Sequence, residues 1–117
     1  AHGDYTSSCA APFVDGFVKN GATAIACASD LIAHGVLAEL YKLGLNVPRD
    51  ISVVGFDDIP LARYTTPPLT TIRQNRLTIG KIVCMAMEQI MDGNAISRLL
   101  LMPELVIRES TGPVKPA

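Results

Sequence analysis

The run Ile51-Ser52-Val53-Val54-Gly55-Phe56 constrains the fold of this chain more than any other stretch. β-Branched residues suit a pleated backbone, and here they continue without polar–apolar alternation, the pattern of a strand buried on both faces. Such a strand belongs to a sheet covered by helices on both sides. The run stops abruptly at Asp57-Asp58, so two carboxylates stand where the strand leaves its sheet.

The rest of the chain supplies the partners such a strand requires. Ala10, Ala11, Phe13, Val14, Phe17 and Val18 recur at helical spacing and predict a helix over 8–20, with Pro12 in its first turn and Asn20-Gly21 at its end. Residues 23–27 form a short apolar run of strand length. Ser29-Asp30 can cap a second helix over 31–43, with Gly44 just past it. Further strands are expected over 69–72, 98–102 and 104–108, the last two parted by Pro103, and a long helix over 76–91 closes at Asp92-Gly93-Asn94. Strands that alternate with helices of this length build an α/β fold with a mostly parallel sheet.

Composition excludes several classes of function. Of 117 residues 49% are hydrophobic and 18% charged, which is core material and not the balance of a disordered chain. The net charge is −1 and the 10 Lys and Arg are scattered, so this stretch is not expected to grip nucleic acid by itself. No apolar run approaches the roughly 20 residues that span a bilayer, and the opening Ala1-His2-Gly3-Asp4-Tyr5 has none of the parts of a signal peptide. Cys9, Cys27 and Cys84 are odd in number and lack short pairing, and Cys27 and Cys84 sit in apolar patterns. They read as reduced, buried thiols of a cytoplasmic protein.

Ligands of open parallel sheets bind beyond the carboxyl ends of the strands. Three such ends carry polar groups: Ser29 after the first strand, Asp57 after the second and Gln74 after the third. A carboxylate accepts from neighbouring hydroxyls of a sugar or from a paired N–H edge, a carboxamide both donates and accepts, and the Tyr5 ring offers a flat apolar wall. Plainer readings stand beside these. Asp30 reads first as a helix cap, Asp58 as a turn residue bonded to nearby backbone, Asp57 equally as site or turn, and Tyr5 as ordinary packing. Catalysis has little to stand on, because His2 and His34 lack a nucleophile partner and no Cys or His pair has metal spacing. No glycine-rich phosphate loop follows a strand, and no cofactor is expected. A receiver-domain reading of Asp57-Asp58 requires further acidic residues and a late Lys that have no place here.

Taken together, several segments resemble the LacI/GalR regulators. Thr23-Ala24-Ile25 through Ser29-Asp30 with Ala33-His34-Gly35-Val36-Leu37 is one, and Leu43 to Asp58 (LGLNVPRDISVVGFDD) is a second. Pro67-Pro68-Leu69-Thr70-Thr71-Ile72-Arg73-Gln74, the Ile79-Gly80 pair, and Leu105-Val106-Ile107-Arg108-Glu109-Ser110-Thr111 follow in order and spacing. The resemblance implies an incomplete three-layer αβα, periplasmic-binding-protein-like core of two subdomains with effector between them. Residues 1–72 would belong to the C-terminal subdomain, 73–103 to a return into the N-terminal one, and 104–117 to a final strand and tail back in the C-terminal one.

It further implies that Asp57 contacts effector hydroxyls, Tyr5 stacks on the effector and Gln74 faces the cleft, while Ser29 stands where sugar-binding relatives often have Asn. Ile32, Val36 and Leu40, with Ile59 and Tyr64 from the following loop, would form the homodimer interface. The implied function is a cytoplasmic, sugar-responsive repressor that meets operator DNA through a helix-turn-helix outside this sequence and has no membrane partner. A periplasmic sugar-binding transport receptor of the same fold is the alternative, disfavoured by the unpaired cysteines and the wording of the VPRDISVVGFDD segment.

Overall fold

In a computed structural model, which describes residues 6–96 and 98–114, the chain divides into two compact units. One comprises Ala1–Arg73 with Leu105–Ala117 and the other Gln74–Glu104. Its elements in order are α1 (Ala11–Lys19), β1 (Ala24–Ala26), α2 (Asp30–Lys42), β2 (Ser52–Phe56), β3 (Thr70–Arg73), α3 (Arg76–Met91) and β4 (Glu104–Val106). The four strands form one sheet in the order β1-β2-β3-β4, and β1, β2 and β3 run parallel.

The register explains why the first unit holds together. Ile25 pairs with Val53 and Gly55 with Thr71, so these positions share the sheet face on which α2 lies. Against them α2 turns Ala33, Val36 and Leu40, all nearly inaccessible to solvent. Burying a Val or Leu side chain contributes roughly 1.5–3 kcal/mol, so Val36 and Leu40 each add substantially to the unit's cohesion. β2 is less enclosed than its sequence suggests. Ile51, Val53 and Gly55 are buried but Val54 and Phe56 only half so, because one face of the strand is fully covered and the other in part.

Helix α1 follows a 3-10 turn, Ser7–Ala10, with Pro12 in its first turn as the sequence indicates. Val14 is 1% exposed, whereas Phe13 and Phe17 are each 38% exposed, so the buried stripe is narrower than the apolar one. The 3-10 turn lies directly on α2. A side chain at Gly35 would overlap the backbone of Ser7, which is why a helix former is absent from that position.

Ser110 closes the unit from its far end. Its hydroxyl donates to the Val53 carbonyl (2.6 Å) and accepts from the Thr70 amide (2.8 Å), while its carbonyl accepts from the Val53 amide (2.8 Å). The segment after β4 thus satisfies backbone groups of β2 and β3 that would otherwise be buried without partners.

In the second unit Asn75 caps α3 by accepting from the Thr78 amide, and the helix ends before Gly93 at φ 79°. No residue of α3 is buried. The aliphatic run 98–102, expected to be a strand, is not one. Leu100 and Met102 are 76% and 92% exposed, and an apolar run becomes a strand only where a neighbouring backbone offers it hydrogen bonds. Of the expected strand 104–108, only Glu104–Val106 forms.

Candidate functional site

Because β1, β2 and β3 are adjacent and parallel, their carboxyl ends meet along one edge of the sheet. The loops that leave this edge carry Ser29 after β1 and Asp57 after β2. Gln74 directly follows β3 and begins the second unit. Tyr5 lies outside the described residues.

A buried carboxylate organises this edge. Asp30, the first residue of α2, is 2% exposed, and its Oδ1 accepts from the Thr71 hydroxyl (2.5 Å) while its Oδ2 accepts from the Ile59 amide (2.8 Å). One side chain therefore ties α2, β3 and the loop after β2. The reading of Asp30 as a helix cap is corrected, since the cap is Ser29, whose Oγ accepts from the Ile32 amide (3.3 Å). Gly55 leaves the space that Asp30 fills. A Cβ there would overlap Asp30 Oδ1 and press on Leu69.

Asp57 and Asp58 both adopt positive φ, 109° and 50°. Such backbone is rare for residues with a side chain and persists only where the surroundings impose it. The Asp57 amide still donates to the Ile72 carbonyl (2.8 Å), continuing the β2–β3 ladder one residue past the strand. Its half-buried carboxylate makes no hydrogen bond or ion pair with another described residue.

Asp58 contrasts with its neighbour. Its side chain is 4% exposed and lies between Arg108 (Nη2 to Oδ1, 2.5 Å) and Arg73 (Nε to Oδ2, 2.7 Å). Loss of hydration works against ionisation of Asp58, but the hydrogen bonds and charges of Arg108 and Arg73 outweigh it and hold the carboxyl below the usual carboxylate range. Asp58 is thus no turn residue bonded to nearby backbone, since its side-chain partners are 15 and 50 residues away. Arg108 is anchored as well, through Nη1 to the Leu69 carbonyl (2.7 Å) and its amide to the Thr70 hydroxyl (2.9 Å).

Sequence reasoning passed over Arg73, Arg108 and Thr71. The available signal was Arg73 and Arg108 directly following isoleucines in strand-like runs, where a charge must find a partner.

The cysteines bring no chemistry to this edge. All three are free, and Cys84 is exposed, correcting the expectation that it is buried. Burial, followed by the charges of Asp30 and Cys9, pushes the Cys27 thiol up to about 12, leaving it protonated and unreactive at neutral pH. No group of His, Cys, Asp and Glu among the described residues could hold a metal ion, and no helix among them is long and apolar enough to cross a membrane.

The positions assigned to a dimer interface separate sharply. Val36 (2% exposed) and Leu40 (0%) belong to the core under the sheet and cannot meet a second protein, which corrects that assignment. Ile32 packs partly against the same core, and Ile59 is half-buried with its amide on Asp30. Tyr64 alone of the five is open, at 80%.

A family model described as periplasmic binding protein-like domain matches residues 2–111, nearly the whole chain. The chain belongs to that family. Within it, this periplasmic binding protein-like domain is 39% identical over 112 residues to the HTH-type transcriptional regulator MalR of Streptomyces coelicolor, covering 94% of this chain and 33% of that regulator. Its fold superposes with a TM-score of 0.85 on the lac repressor dimer bound to operator and the anti-inducer ONPF, at 33% identity, covering 93% of this chain and 39% of that one. A LacI family transcriptional regulator from Enterococcus faecalis with bound ribose gives a TM-score of 0.86 at 28% identity, covering 97% of this chain and 43% of that one. The chain thus spans about a third of the length of the curated regulators it matches.

Proposed function

We propose that this domain is the effector-sensing part of a LacI-type, DNA-binding transcriptional repressor that responds to a small neutral polyol, a sugar or a close relative of one. The observation that carries the reading is Asp57. A carboxylate without a partner among the described residues, on imposed backbone at the carboxyl edge of a parallel sheet, is an acceptor left for a ligand. The Ser29 Oγ already accepts from the Ile32 amide, so its O–H remains to donate. Together they suit a hydroxyl-bearing ligand, which donates a hydrogen bond to Asp57 and accepts one from Ser29. Gln74 and Tyr5 complete the proposed effector contacts. The ribose-bound relative and the operator-bound lac repressor dimer support the sugar and the DNA partner respectively.

The domain would act without catalysing a reaction, in the cytoplasm, as a homodimer. The open stripe of α2, Leu31, His34, Ala38 and Tyr41, together with exposed Leu61 of a second 3-10 turn (Pro60–Arg63) packed beside α2 and Tyr64 just after it, replaces Val36 and Leu40 as the proposed interface. An effector alters operator affinity only through unequal affinity for two states, a coupling typically of about 1–3 kcal/mol.

Calorimetric titration with neutral monosaccharides, D-ribose first, tests the site. Asp57→Asn is expected to weaken binding by about 1.5–3 kcal/mol, the scale of a hydrogen bond to a charged group. Undiminished affinity in that variant would remove Asp57 from the site.

A further inference from the structure

We infer that Asp58 is a positioning residue, which fixes the direction of the Asp57 carboxylate by clamping the loop after β2 between Arg108 and Arg73. The inference rests on the proposal that Asp57 meets the effector and adds what holds it there.

Three observations converge on the loop. Among the described residues Asp57 itself is held through its amide alone, on the Ile72 carbonyl. Beyond it the described anchors lie one and two residues on: the Asp58 carboxylate on its two arginines, the Asp58 amide in a long bond to the Thr71 hydroxyl (3.4 Å), and the Ile59 amide on buried Asp30. Between those anchors Asp57 and Asp58 occupy left-handed backbone that no glycine relieves. A strained conformation is retained only while its surroundings over-determine it, so an anchor removed at Asp58 lets φ of Asp57 relax and its side chain swing.

Arg108 does not depend on the loop for its position. Arg108 is fixed to the Leu69 carbonyl and Thr70 hydroxyl of the β3 strand region, so the clamp refers Asp57 to the rigid sheet and not to another loop. A buried ion pair of this type contributes little net stability compared with apolar residues of the same size. What it supplies is a defined direction, which two charge-assisted bonds at right positions provide and a hydrophobic contact does not.

Amide hydrogen exchange and thermal denaturation of wild type, Asp58→Asn and Arg73→Gln test this. Arg73 is partly exposed, so its loss spares the core and guards against a variant that fails to fold. Both substitutions are expected to speed exchange at Asp57 and Ile59 by about tenfold relative to Val53 and Leu40, which report global opening. A purely structural role would move all four sites together, and that outcome overturns the inference. D-ribose calorimetry on the same proteins forms the second arm. Weaker binding in step with faster local exchange supports the clamp and the effector reading together. Faster local exchange, with D-ribose affinity unchanged even in Asp57→Asn, supports the clamp but rejects Asp57 as a sugar contact.

Discussion

Gly55 stands in the middle of β2 because the Asp30 carboxylate fills the place its side chain would take. Gly55→Ala is therefore expected to destabilise the domain by about 1–3 kcal/mol, the range for overpacking a tight core, as read by urea denaturation. Unaltered stability would mean that Asp30 and Leu69 move aside freely. A pH dependence follows from Asp58. Its carboxyl is held below the ordinary range when folded, so it stabilises the fold above the unfolded pKa, and that stabilisation is lost as pH falls through the folded value. The stability gap between wild type and Asp58→Asn should narrow as the pH falls below the ordinary carboxylate range and on through the depressed folded value, as read by urea denaturation at a series of acidic pH values. At this scale the sequence was half legible. Asp57 could be placed because a buried strand visibly stops before it, whereas Asp30 could not, because its partner Thr71 is 41 residues away and only the fold joins them.

Helix α2 shows how an element can be recognised and its faces still be confused. Its cap, length and terminal Gly44 follow from local chemistry, and α3 likewise forms at Arg76–Met91, the limits that its apolar stripe and flanking Asn75 and Gly93 indicate. Apolar residues on α2, however, extend over more than one side, and periodicity does not say which side turns to the sheet and which to a partner. Packing in the common core with Ile25 and Val53 decides it, with Val36 and Leu40 inward and Tyr41 outward at 84% exposure. Leu40→Glu should abolish folding altogether, since a charge would be buried without a partner. Tyr64→Glu should leave the melting temperature of the monomer unchanged and lower the mass seen in sedimentation from dimer to monomer. A dimeric, stable Tyr64→Glu protein would place the interface elsewhere. The run 98–102 failed as a strand for a related reason, since strand formation depends on a neighbour that composition does not reveal.

For the whole molecule, the order of strands and helices through α3 was legible from apolar periodicity and from the turn residues between the runs. The ionic clamp on Asp58 was not legible, since it depends on segments distant in sequence meeting in space. The central claim is that the carboxyl edge of β1–β3 is a sensing surface whose acceptor is Asp57. Two-dimensional amide NMR of the labelled protein, titrated with D-ribose and related neutral sugars, tests it most directly. Shifts concentrated at 27–30 and 56–59, absent in Asp57→Asn, are the result expected here. Shifts confined to the exposed face of α3 or to α1, with the Asp57 amide unmoved at saturation, would contradict it.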